Sequence, residues 1–183
     1  GLSDPGGYLR RLHEAAPDAW LVVEKILHPG EDLPESWPAD GTTGYDAMRE
    51  VSGVLLDPAG EAPWQALAER LGAPSDYAAV EEDARRMVTR KVLVAEVRRI
   101  AGLLRDVPED AARTAVAETM VAFGVYRSYL PEGEDHWAQA IDTARSRRPD
   151  VGDALGALDT QVRAEPHGEL ATRIQQTSGM VEI

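Results

Sequence analysis

Ala19-Trp20-Leu21-Val22-Val23-Glu24-Lys25-Ile26-Leu27 is an almost continuous apolar run, rich in β-branched residues and broken by one acidic and one basic side chain. Such a run has the pattern of a strand buried on both faces, as in a parallel sheet. Upstream, Asp4-Pro5 reads as a helix cap followed by proline at the first helical position, and Tyr8, Leu9, Leu12 and Ala15 recur at helical spacing. A helix is therefore expected from about residue 5 to 15, ended by Pro17-Asp18. Downstream, His28 to Thr43 holds three prolines, two glycines and four acidic residues, which predicts a long irregular loop. Loops of that length are usually functional or mobile.

Beyond the loop the pattern changes to apolar positions three and four apart. Residues 44–55, 61–71, 76–106, 109–123, 134–147 and 150–163 all show it, separated by Pro, Gly or Asp. The longest, Asp76 through Val107, is expected to be one continuous spine of a helical bundle. Val125-Tyr126-Arg127-Ser128-Tyr129 alternates instead, and predicts a short extended piece before Pro131. The fold class expected is mainly α: a helical bundle with one helix and one orphan strand at its N-terminus.

The orphan strand poses a physical problem. Each backbone N–H or C=O left unpaired in an apolar setting costs about 1–3 kcal/mol, and no other stretch reads as its neighbour. The run should therefore belong to a sheet completed by polypeptide outside this chain, or pair with a second copy in a dimer, or be disordered with the rest of the first 30 residues. The opening Gly1-Leu2-Ser3-Asp4 lacks an initiator methionine and starts at a helix cap, as an excised segment would.

Bulk properties narrow the function. The 183 residues carry a formal charge of −13, and Lys and Arg form no sizeable block to overcome it, so phosphate backbones and anionic lipids are repelled. Neither nucleic acid nor a membrane surface is an expected partner. There are no cysteines, which removes disulfides and thiolate metal sites. His13, His28, His136 and His167 have no metal-ligand spacing, and no cofactor is expected. No apolar run reaches the roughly 20 residues of a spanning helix, and the N-terminus has no signal-peptide pattern, so a cytoplasmic location is expected.

Glu24 is the outstanding candidate for chemistry. A carboxylate among Leu, Val and Ile near a strand end is costly unless it has a use or a partner, although charge at this point also marks where a strand reaches solvent. In barrels of alternating strands and helices, catalytic groups sit at the C-terminal strand ends. Trp37 and Tyr45, in and just after the loop, could form flat aromatic platforms for a ligand. Equally, Trp37 could plug the loop down and Tyr45 pack in a first helical turn. The Arg145–Arg148 cluster lies where a helix C-terminus favours positive charge and reads as structural.

Six strings, in order along the chain, carry a resemblance: Gly1-Leu2-Ser3-Asp4-Pro5-Gly6-Gly7-Tyr8-Leu9, Val22-Val23-Glu24-Lys25-Ile26-Leu27, Leu33-Pro34-Glu35-Ser36-Trp37-Pro38, Gly41-Thr42-Thr43-Gly44-Tyr45-Asp46, Asp57-Pro58-Ala59-Gly60 and Thr172-Arg173-Ile174-Gln175-Gln176-Thr177. Together they resemble the maltooligosyltrehalose synthase family of glycoside hydrolase family 13. The resemblance implies an internal segment: residues 1–30 from a catalytic β/α barrel, and residues 31–183 as a helical insertion after its fifth strand. It further implies an isomerase acting on maltooligosaccharides, which rearranges the reducing-end α-1,4 bond into an α,α-1,1 bond by a retaining mechanism.

Glu24 matches the family's acid/base position, with Lys25 and His28 as further substrate-side candidates beside Trp37 and Tyr45. The nucleophilic Asp of the family precedes the Gly-Leu with which this chain starts. Near the C-terminus, Thr177 to Ile183 departs from the family's continuation. The isolated chain is accordingly expected to be inactive. The competing reading is a free-standing helical interaction or scaffold module without catalysis. Gln175-Gln176 has no evident physical role from sequence.

Overall fold

In the computed structural model the described residues are 2–181. Gly1, which opens the first matching string, and Glu182-Ile183, which end the divergent C-terminus, lie outside them. Helix α1 runs Pro5–Ala15, as the cap and periodicity predict. The Asp4 carboxylate accepts a hydrogen bond from Gly7 N at 2.8 Å. A Cβ on Gly7 would stand 2.0 Å from that carboxylate, so only glycine lets the cap close.

The run at 19–27 forms a much shorter strand than expected. Strand β1 is Val22–Val23, and it pairs in parallel with β2, Gly41–Thr42, in the register Val22↔Gly41 and Val23↔Thr42. Asp40 N donates to Leu21 O at 2.7 Å and Thr43 N to Val23 O at 3.0 Å, extending the ladder at both ends. The expectation of an orphan strand is thus corrected: its neighbour comes from the end of the loop at 28–43, whose prolines conceal a two-residue extended piece. A missing partner no longer argues for pairing between two chains. Burial on both faces is corrected too, since residues 21–23 are half-buried and Trp20 is exposed. With a single two-residue neighbour, only Lys25 of this run is fully buried.

Helices α2 (Tyr45–Gly53), α3 (Glu61–Arg70) and α4 (Tyr77–Met87) follow, and none of them contains a buried residue. The single spine expected over 76–107 is broken. After α4 the backbone widens into a π-turn, Val88–Val92, before α5, Val94–Ala101. At the turn the Thr89 hydroxyl donates to Arg86 O at 2.9 Å, and Leu93 N reaches back to Val88 O at 2.9 Å. Side-chain bonding of this kind competes with the regular helical ladder, and the wider turn rotates the apolar stripe. Val80 and Met87 before it are exposed, whereas Leu93, Val97, Ile100 and Ala101 after it are buried.

The core is built around α6, Glu109–Ala122, which contacts α5, α7 (Glu134–Arg147), α8 (Gly152–Ala164) and α9 (Glu169–Ser178). Val116, Met120, Trp137, Ile141, Leu155, Leu158 and Ile174 are almost completely buried there. The described residues thus hold nine α-helices against one two-stranded sheet, a mainly α architecture. Helix α9 lies beyond the periodic segments because its buried face is Ala171, Ile174, Gln175, Thr177 and Ser178, mostly small or polar. The extended piece at 125–129 survives only as an antiparallel bridge between Tyr129 and Glu132. Among the described residues no helix is long and apolar enough to cross a membrane.

Arg145 and Arg147 lie in the last turn of α7, where the helix dipole favours positive charge, and the charges around them are paired. Arg147 meets Glu82, and Arg148 holds Asp150 at 2.6 Å. The buried Glu118 carboxylate lies 3.0 Å from Arg86 and 3.8 Å from Arg148.

Candidate functional site

The end of β1 is a tight turn. Lys25 N donates to Val23 O at 3.1 Å, closing a three-residue loop with Glu24 at its apex. Glu24 is exposed, and its neighbour Lys25 is only 4% exposed. A lysine so deeply covered needs a counter-charge, and the Lys25 ammonium forms an ion pair with Glu31, whose side chain is also buried. The other Glu31 oxygen accepts from His28 N at 3.0 Å.

Two cations share one ring above this pair. Lys25 Nζ lies 5.5 Å from the centroid of Tyr129, and the Arg127 guanidinium carbon lies 4.6 Å from it. Trp37 packs edge-on against the same ring, with centroids 5.0 Å apart and planes at 78°. Burial pushes the Tyr129 phenol above its ordinary range, a shift that neighbouring Arg127 opposes. Burial also lowers Arg127 from its ordinary value. Arg127 donates from Nη2 to Leu2 O at 2.8 Å, tying the start of the chain to the segment between α6 and α7.

Glu24, Lys25 and Trp37 line a cavity of about 410 Å³, with Tyr8, Arg127 and Tyr129 on its other walls. Tyr45 approaches Glu24 from outside it, its hydroxyl 3.4 Å from the carboxylate. The motif at 41–46 sets that approach: Gly44 N donates to the Thr42 hydroxyl at 3.1 Å, and that hydroxyl donates to Asp46. This bond holds the Asp46 carboxyl below its usual range. His28 is placed apart from the others, lining a second cavity with Asp76, Glu82, Arg85 and Arg147. Trp37 is 7% exposed, and its ring meets Tyr129 and Gly6.

Sequence reasoning missed Glu31, Arg127 and Tyr129. The alternation at 125–129 held the available signal, because it puts Arg127 and Tyr129 on the same side of an extended stretch in an aromatic-poor chain. Gln175, to which sequence assigns no role, accepts from Leu130 N at 2.7 Å and from the Ser128 hydroxyl at 3.3 Å, and donates to Ala171 O at 2.9 Å. It fixes the segment that carries Arg127 and Tyr129 to α9. Among the described residues no group of three His, Cys, Asp or Glu is placed to hold a metal ion.

No family model matches the chain. Two curated relatives do, each assigned as a maltooligosyl trehalose synthase, from the CDC 1551 / Oshkosh and H37Rv strains of Mycobacterium tuberculosis. Both are 37% identical over 186 aligned residues, covering 99% of this chain and 24% of their own length. Among solved structures, the maltooligosyltrehalose synthase from Arthrobacter ramosus is 41% identical with a TM-score of 0.89, over 99% of this chain and 24% of that one. The DSM5389 glycosyltrehalose synthase is 26% identical with a TM-score of 0.73, over 99% and 22% respectively. The chain therefore spans about a quarter of the length of the relatives it matches.

Proposed function

Since this chain corresponds along 99% of its length to one segment of the maltooligosyltrehalose synthase family, we propose that it is part of an isomerase of glycoside hydrolase family 13 with Glu24 as the acid/base carboxylate. The substrate is a maltooligosaccharide. Its reducing-end α-1,4 bond breaks as Glu24 protonates the leaving oxygen and a carboxylate nucleophile takes the glucosyl unit. Glu24, now a base, activates the 1-hydroxyl of the released glucose, which attacks the same anomeric carbon to form the α,α-1,1 bond. Two displacements retain configuration. Residues 1–30 belong to the catalytic barrel and 31–183 to a helical insertion that limits access of water, which would turn the second step into hydrolysis. The location is cytoplasmic.

The observation that carries this reading is the apex position of Glu24. Its backbone is bracketed by the β1–β2 ladder and by buried Lys25, while its carboxylate is exposed at the rim of a cavity walled by Tyr8, Trp37, Arg127 and Tyr129. Aromatic rings beside a polar rim suit a glucose unit, which has apolar faces and hydroxyl edges. In the enzyme containing these residues, Glu24→Gln should reduce formation of trehalose-ended product by several orders of magnitude. Unchanged turnover would remove Glu24 from the mechanism. The isolated 183 residues, without the family's nucleophile, should bind maltopentaose in a calorimetric titration and leave it unconverted.

A second reading, an interaction module without catalysis, is favoured by the apolar side chains that α2, the turn after it and α3 leave in solvent, Val51, Val54, Leu55 and Trp64 among them. Absence of both glucan binding and trehalose-ended product from the protein containing these residues would select it.

A further inference from the structure

We propose that Glu31 and Tyr129 are positioning residues for Glu24, acting through Lys25. The inference rests on the assignment of Glu24 as acid/base and extends it to two residues that never touch the reacting atoms.

The turn at the end of β1 is held from both sides. Val23 O accepts from both Thr43 N at 3.0 Å and Lys25 N at 3.1 Å, so the residue before Glu24 is fixed by β2 and by the turn itself. The residue after it is anchored through its side chain. Lys25 is buried, its ammonium ends on Glu31, and the Tyr129 ring lies 5.5 Å from the same nitrogen. A buried ammonium cannot drift from its counter-charge without a large desolvation cost, so the ion pair acts as a fixed point. A chain pinned on both sides of the turn fixes the Cα–Cβ bond of Glu24, whose side chain lines the cavity and meets the Tyr45 hydroxyl at 3.4 Å.

Glu31 is itself fixed, because its second oxygen accepts from His28 N, three residues from Lys25. Tyr129 is fixed by Trp37 and by the neighbouring backbone, since Leu130 N and Ser128 Oγ both donate to Gln175. The helical part of the chain thereby helps to position a carboxylate in the turn after β1. General acid catalysis tolerates little error in that direction, and a displacement of about 1 Å can cost about 100-fold in rate.

The test is kinetic, in the enzyme containing these residues, with circular dichroism to establish folding. Glu31→Gln and Tyr129→Leu should each lower kcat about 10- to 100-fold while KM stays within about twofold, the split expected when only the transition state is affected. Tyr129→Phe keeps the ring beside the Lys25 ammonium and should lower kcat less than Tyr129→Leu does. Parent-like kcat in folded Glu31→Gln and Tyr129→Leu would overturn the proposal. So would a rise in KM at constant kcat, which marks a substrate contact instead. If Glu31→Gln does not fold, the double variant Lys25→Met with Glu31→Gln removes both buried charges at similar volume. A folded double variant with depressed kcat supports positioning, and one with parent kcat refutes it. Glu24→Gln, measured alongside, separates the two levels: parent-like turnover there sinks the acid/base assignment itself, whatever the other variants do.

Discussion

The indole of Trp37 stands edge-on to the ring of Tyr129, 5.0 Å away, across an interval of more than ninety residues. This contact joins the loop after β1 to the segment between α6 and α7, and Trp37 also lies 3.3 Å from the Cβ position of Gly6 in α1. One side chain therefore fastens the helix, the loop and the bundle together. Trp37→Ala should cost about 3–5 kcal/mol, the usual penalty for emptying a buried aromatic site. Chemical denaturation of the purified chain measures it, and a loss below about 1 kcal/mol would mean that the three parts are held independently of this ring.

Gln175 offers a cleaner test of the bundle side. Its amide oxygen receives the buried Leu130 N–H at 2.7 Å, and Gln175 is 3% exposed. Gln175→Leu keeps the volume and deletes the acceptor. An orphaned buried donor costs about 1–3 kcal/mol, so a drop of that size in unfolding free energy is expected. An unchanged midpoint would show that water takes over the bond.

Stability should fall at high pH through Tyr129. Its folded-state value is raised by burial, so the folded chain retains the phenolic proton after the unfolded chain has lost it. The contribution is complete below about pH 10, the ordinary tyrosine range, and is lost as pH rises toward the folded value. Tyr129→Phe should flatten the decline in urea midpoint between about pH 9 and 11. Parallel curves for parent and variant would contradict the shift.

At the cap of α1, Gly7→Ala would place a methyl group inside the Asp4 carboxylate and break the bond at 2.8 Å. Asp4→Ala removes the same bond without the collision and should cost about 1 kcal/mol. Gly7→Ala should cost at least as much, despite the helix propensity of alanine. A stabilised Gly7→Ala variant would imply that the Asp4 side chain swings away freely.

The parts legible in sequence are those where local chemistry decides. Asp4-Pro5 marks the start of α1, and Pro108 precedes α6 as expected, because caps and prolines act within one turn. Apolar spacing locates α6, α7 and α8. It fails at Val88–Val92, where one buried threonine bonding to Arg86 O converts an apparently continuous helix into two. The partner of β1 is hidden because a two-residue strand has no periodicity to detect. At the candidate site, Glu24 stands out as a charge in an apolar run, whereas Glu31 looks like one of four acidic loop residues. Its partner Lys25 lies against Tyr129, and a contact between segments so far apart in sequence leaves no local trace.

Helices α2, α3 and α4 contain no buried residue, while α6 to α9 hold the core. Such a division separates the chain into two tiers of cooperativity. Amide protons in 45–87 should exchange with solvent through local openings of small free energy, long before those of α6, which exchange only when the whole core melts. The polypeptide can thus vary, lengthen or shed structure in α2 and α3 at little thermodynamic cost, whereas α4 is tied to the core through Arg86, which pairs with the buried Glu118.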